Sequence, residues 1–180
     1  MKYTTIYITT SFALAFLTFF TIDYSPLYHS IPLIEVSDEN KPFDQLVWSD
    51  EFDGEGPINT EKWFHQTQLP PGGVWWGGLL QHYTNQESNT YLKDGYLNLV
   101  ARKEEFKDQG ITKQYTAARL NSKYAFTYGK VEVRAKLPKG QGTWPAIWML
   151  NKNINEDGAY WDIEGYGEVN WPNCGEIDIL

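Results

Sequence analysis

Gly129-Lys130-Val131-Glu132-Val133-Arg134-Ala135-Lys136-Leu137 alternates apolar and charged residues without a break. Side chains on a strand point to opposite faces in turn, whereas those on a helix repeat every ~3.6 residues. Val131, Val133, Ala135 and Leu137 therefore share one face, and Lys130, Glu132, Arg134 and Lys136 the other. This is the pattern of a strand with one packed and one solvated side. Pro138-Lys139-Gly140-Gln141-Gly142 reads as the turn that ends it. The next run, 143–150, is an apolar strand with Trp144, Ala146, Trp148 and Leu150 on one face and Pro145, Ile147 and Met149 on the other.

Upstream, 117–122 reads as a strand and the charged stretch 103–113 as a surface loop. Asp94-Gly95 is a hairpin-like turn leading into the alternating Tyr96-Leu97-Asn98-Leu99-Val100-Ala101. Residues 81–84 read as a short strand, 60–63 as a helical turn, and Leu46-Val47-Trp48 as a strand closed by Ser49-Asp50-Glu51-Phe52-Asp53-Gly54. Pro70-Pro71-Gly72-Gly73 and Gly77-Gly78 bracket Trp75 and Trp76, which marks an irregular loop with exposed aromatics. No stretch keeps a helical period. Many short strands between turns predict an all-β fold, a sandwich or barrel.

The 180 residues carry a net charge of -8 and are 16% aromatic, with eight Trp and twelve Tyr. An acidic chain lacks the basic face that a nucleic-acid partner needs. Surplus aromatics serve first as core, and flat rings also suit sugars. Cys174 is the single cysteine, which excludes a disulfide within these 180 residues, and His29, His65 and His82 have no zinc-site spacing. The uncharged apolar run 6–22 exceeds the ~7–15 residues of a usual secretory core, and ~18 such residues can span a bilayer. Residues 1–25 are thus expected to be a signal peptide or N-terminal membrane anchor, 26–41 a spacer and 42–180 the globular domain, placed outside the cytoplasm.

At the other end, Gly175-Glu176-Ile177-Asp178-Ile179-Leu180 puts Ile177 and Ile179 on one face and two carboxylates, Glu176 and Asp178, side by side on the other. Neighbouring carboxylates perturb each other, and acid/base work on a sugar is one reason to hold them together. The preceding segment 151–173 is a long loop rich in Gly, Asn, acids and aromatics, and long loops in compact domains are often functional. The globular part is short for a β-sandwich of ~200–250 residues, so the chain is expected to be an N-terminal fragment truncated within its domain, inactive by itself.

Five motifs in order resemble glycoside hydrolase family 16, above all its laminarinase-type endo-β-1,3-glucanases. They are Trp48-Ser49-Asp50-Glu51-Phe52-Asp53-Gly54, Gln81-His82-Tyr83-Thr84, Tyr128-Gly129-Lys130-Val131-Glu132-Val133-Arg134, Trp144-Pro145-Ala146-Ile147-Trp148-Met149-Leu150 and Gly175-Glu176-Ile177-Asp178-Ile179. The resemblance implies a β-jelly-roll of two antiparallel curved sheets with a sugar cleft on the concave face. It implies that Glu176 is the nucleophile of a retaining mechanism and Asp178 its helper. The acid/base is a second Glu, and Leu180 stands where the shorter family motif would have it. The longer motif places it at the next position, which a β-bulge must turn into the cleft. Trp144 and Trp148 resemble cleft tryptophans that stack on sugars, and Arg119 an arginine that hydrogen-bonds them.

Gly77-Gly78 departs from the Asn and Glu that relatives often carry before the Gln81 motif, which bears on glucan specificity. Many relatives hold a structural calcium, for which Gly95 resembles one ligand position; the chemistry needs no cofactor. The implied function is endo-acting retaining hydrolysis of β-1,3 or mixed β-1,3-1,4 glucan by a monomer. The alternatives are a non-catalytic β-glucan-recognition protein on the same fold and a family 16 enzyme for an algal galactan.

Overall fold

Asp94 and Gly95 both take positive φ, 54° and 72°. Two such residues form the tight corner whose twist matches that of paired strands. They join β3 (Thr90–Lys93) to β4 (Tyr96–Leu99), with Thr90 opposite Leu99 and Lys93 opposite Tyr96. The computed structural model describes residues 43–180. The expected leader and spacer lie outside them.

A second corner of this kind overturns the surface loop expected at 103–113. Gln109 and Gly110 have φ of 49° and 79° and connect β5 (Arg102–Asp108) to β6 (Ile111–Ala117), with a bulge between Lys103 and Phe106. Gln109 is held in this conformation from outside the hairpin: its Oε1 accepts from Leu69 N at 2.9 Å and its Nε2 donates to Thr67 O at 3.0 Å.

Of the short elements, β1 (Trp63–His65) pairs antiparallel with β7 (Leu120–Ser122), and β2 (His82–Tyr83) runs parallel to β6. β8 (Trp148–Leu150) pairs antiparallel with β9 (Glu176–Asp178). The one α-helix among the described residues, α1 (Tyr160–Ile163), is a single turn. The fold is all-β, as the turn spacing predicts. Only Trp148–Leu150 of the apolar run 143–150 is strand, so Trp144 lies outside it.

Much of the buried interior is polar and built around Asn89, which is fully buried on the turn into β3. Its Nδ2 donates to Val100 O at 2.9 Å and Thr116 Oγ1 at 3.0 Å, and its Oδ1 accepts from Thr84 Oγ1 at 2.5 Å. One amide thereby closes the β3–β4 hairpin and ties it to β6 and to the chain leaving β2. His82, also fully buried, meets Ile111 O through Nε2 at 2.9 Å.

The described residues divide into two units, 43–46 with 128–135, and 47–127 with 136–180. In the first, Lys130 Nζ lies 2.9 Å from Glu132 Oε1, the same-face spacing that alternation predicts. The strand expected at 129–137 is not assigned among the described residues. Alternation gives the two faces, but a strand also needs a ladder partner for its backbone groups.

In the second unit, Val47 and Trp48 are not strand either. Their motif acts through Asp50, whose Oδ2 accepts from Trp63 Nε1 at 2.8 Å and whose Oδ1 accepts from Phe52 N at 3.1 Å.

Asn89→Ala removes three interior hydrogen bonds and leaves Val100 O and the hydroxyls of Thr84 and Thr116 each short of one partner. It should destabilise the fold by about 3 kcal/mol, read as a lower urea midpoint at constant slope.

Candidate active site

In an antiparallel ladder, residues directly opposite one another project from the same face. The register pairs Trp148 with Asp178, Met149 with Ile177 and Leu150 with Glu176. Glu176 and Asp178 therefore share one face with Trp148 and Leu150, while Ile177 and Met149 take the other. Both carboxylates lie on the exposed part of β9.

The expected bulge is present just past them. Ile147 O accepts from both Ile179 N at 2.9 Å and Leu180 N at 3.0 Å, while Ile147 N donates to Leu180 O at 3.2 Å. Two residues oppose one, and the alternation shifts by one position.

Beside this face stands a cationic and aromatic cluster. Arg119, on the residue before β7, has its guanidinium carbon 5.1 Å from the ring centre of Trp148, 5.5 Å from Trp75 and 5.7 Å from Trp76. Its Nη2 donates to Glu156 Oε1 at 2.6 Å. Arg119 is 14% exposed and Glu156 8%. A buried carboxylate must be paired and hydrogen-bonded, and Glu156 is: Gln66 Nε2 also donates to Oε1 at 2.6 Å. Gln66 Oε1 accepts from Asn121 Nδ2 at 3.1 Å, and Asn121 Oδ1 accepts from Tyr160 N at 2.9 Å, the first residue of α1. The relay ties loop 151–173 to the residue after β1, to β7 and the residue before it, and to the indoles.

Trp75, expected to be exposed, is 1% exposed and packs edge-on against Tyr83 at 4.8 Å. Burial pushes the Tyr83 phenol up, and nearby Arg119 opposes the shift. Trp76 and Trp144 do face solvent, at 52% and 75%. A Cβ added at Gly77 would stand 3.6 Å from Trp144 Cζ3. The Gly77-Gly78 departure therefore lies against the Trp144 ring, next in sequence to Trp76.

Of the residues singled out in sequence, the structure gathers Arg119 and Trp148 with the Glu176–Asp178 face. Trp144 joins through Gly77. Gly95 stands apart at its hairpin corner, where Glu55 Oε1 accepts from Asp94 N at 3.0 Å. The described residues hold no group of three His, Cys, Asp or Glu that could bind a metal ion. Glu156, Gln66 and Asn121 escaped sequence reading, because nothing local distinguishes a buried polar side chain from a surface one.

The family model for glycosyl hydrolases family 16 matches residues 80–173. A β-glucanase of Rhodothermus marinus is 42% identical over 146 residues, covering 79% of this chain and 45% of that protein. The crystal structure of a LamA variant from Z. galactanivorans, in complex with laminaritriose and laminaritetraose, matches with TM-score 0.75 and 56% identity, over 77% of this chain and 56% of that one. The laminarinase catalytic domain of Thermotoga maritima matches with TM-score 0.59 and 43% identity, over 74% and 49%. The chain spans about half the length of these relatives. The likeness bears out the β-jelly-roll class.

Arg119→Met strands a buried carboxylate and should cost about 3 kcal/mol. Adding Glu156→Gln should recover part of that loss, so the two changes are non-additive in a double-mutant cycle read by denaturant unfolding.

Proposed function

The chain belongs to glycosyl hydrolases family 16, and on that premise we propose that the full-length protein is a retaining endo-β-glucanase of β-1,3-linked glucan, with mixed β-1,3-1,4 glucan as second substrate. The observation that carries the reading is the shared face of Glu176 and Asp178 opposite Trp148. A carboxylate on that face can reach an anomeric carbon while a sugar ring lies on the neighbouring indole.

In this mechanism the Glu176 carboxylate attacks the anomeric carbon, and the bond to the leaving oxygen breaks. The leaving oxygen takes its proton from the second Glu, which the family pattern puts one residue past Leu180. Water then gives a proton to that residue, now a base, and displaces Glu176 with net retention. The bulge at Ile179–Leu180 supports this placement, since it returns the following position to the face of Glu176. Asp178 is the helper of Glu176 and orients the nucleophile.

Trp148 and Trp144 offer stacking surface, and Arg119 adds a cation whose direction Glu156 holds. No step runs through calcium. The apolar run at 6–22 supports an extracytoplasmic site of action.

The relatives' names support a glucan: one is a β-glucanase, and one structure holds laminari-oligosaccharides. The full-length protein should release reducing ends from laminarin fastest, then lichenan, with little from agarose or carrageenan. A faster rate on either galactan would overturn the substrate, and laminarin binding without hydrolysis would favour a recognition protein. Glu176→Gln should lower kcat at least about a thousandfold, and an undiminished rate would sink the nucleophile.

A further inference from the structure

Trp171 stands five residues before Glu176, yet its indole Nε1 donates to Glu176 Oε2 at 2.9 Å. The chain folds back to allow it. Cys174 N donates to Asn170 O at 3.3 Å and Gly175 N to Pro172 O at 3.0 Å, so residues 170–175 form a tight turn. Gly175 closes it at φ 75°, a conformation that suits glycine. The ring is largely exposed, so its polar edge, rather than burial of its apolar body, distinguishes its place here.

We infer that Trp171 is a positioning residue for the nucleophile, holding Oε2 of Glu176 so that Oε1 is the oxygen turned to the anomeric carbon. The inference rests on the reading of Glu176 as nucleophile and deepens it. A carboxylate on a three-bond side chain rotates freely about its last bond. A donor on one oxygen stops that rotation, and a hydrogen bond to an ionised group is stronger than one between neutral groups. The same donor acts in both halves of the reaction. In the first, Oε1 gives its electron pair to the new C–O bond while Oε2 stays on the indole. In the second, the C–O bond breaks, the electron pair returns to the carboxylate, and the N–H stabilises the charge that reappears.

Loss of the donor therefore weakens chemistry rather than substrate binding. In the full-length enzyme, Trp171→Phe, which keeps a ring and loses the N–H, should lower kcat on laminarin about 10- to 100-fold with KM unchanged or lower. A stacking role would instead raise KM and spare kcat, so that result overturns the inference, as does an unchanged kcat. If the Phe variant fails to fold, the nitrogen-15-labelled indole decides: the Trp171 N–H proton resonance should move upfield in Glu176→Gln, and an unmoved resonance overturns the inference. A Glu176→Gln enzyme with full activity removes the nucleophile reading and this inference with it. An inactive Glu176→Gln beside a fully active Trp171→Phe removes this inference alone.

Discussion

The carboxylate of Glu156 has to be kept satisfied out of water, and the architecture around the site follows from that need. Two donors converge on its Oε1, from Arg119 and Gln66. Arg119 is then fixed where three indoles surround it, and Gln66 where Asn121 can reach it. Asn121 in turn caps the start of α1. Removing any member leaves a buried group short of a partner, which costs more than the contact itself contributes. The indoles beside the cation are held at fixed distances, and a sugar-stacking surface has to be rigid to be useful.

Against this rigid flank stands the two-strand element that carries the carboxylates. The β8–β9 register alone decides that Glu176 and Asp178 look the same way as Trp148. A slip of one residue would turn both carboxylates to the Ile177 side. The bulge at Ile179–Leu180 ends the plain alternation immediately after the pair, and bulges are a usual way to re-aim a side chain beside an active site. Loop 151–173 serves both flanks. It supplies Glu156 to the cluster and Trp171 to Glu176, and it is braced on itself by Lys152, whose Nζ lies 3.4 Å over the Tyr166 ring and 4.4 Å over that of Trp161.

Several elements were legible because one physical rule governs them locally. Asp94-Gly95 accepts positive φ at both positions, so its hairpin corner reads directly from the chain. Glu176 and Asp178 are two apart on a strand, so their common face is a matter of parity. Gln109-Gly110 makes the same corner as Asp94-Gly95 and was missed, because glutamine there depends on bonds to Thr67 and Leu69, about forty positions away. The hairpin's charged strand hid it further, since Arg102–Asp108 carries charges on both faces. Trp75 is expected to be exposed in an irregular loop between glycines and is instead buried against Tyr83. Residues 129–137 show the converse, a faultless alternation with no strand assigned among the described residues.

By itself the sequence determined the all-β class, the turn at Asp94-Gly95, the carboxylate pair and the motif order of a glycosyl hydrolase family 16 chain. The first three follow from residue type and spacing within a few positions, and the last from the resemblance of five motifs taken in order. Only the tertiary structure decided that Arg119 is spoken for by Glu156, that Trp75 is interior while Trp76 and Trp144 face solvent, and that Trp171 returns to Glu176. Those are pairings between distant or folded-back residues. Alternation and turn chemistry say which way a side chain points, but not what it meets.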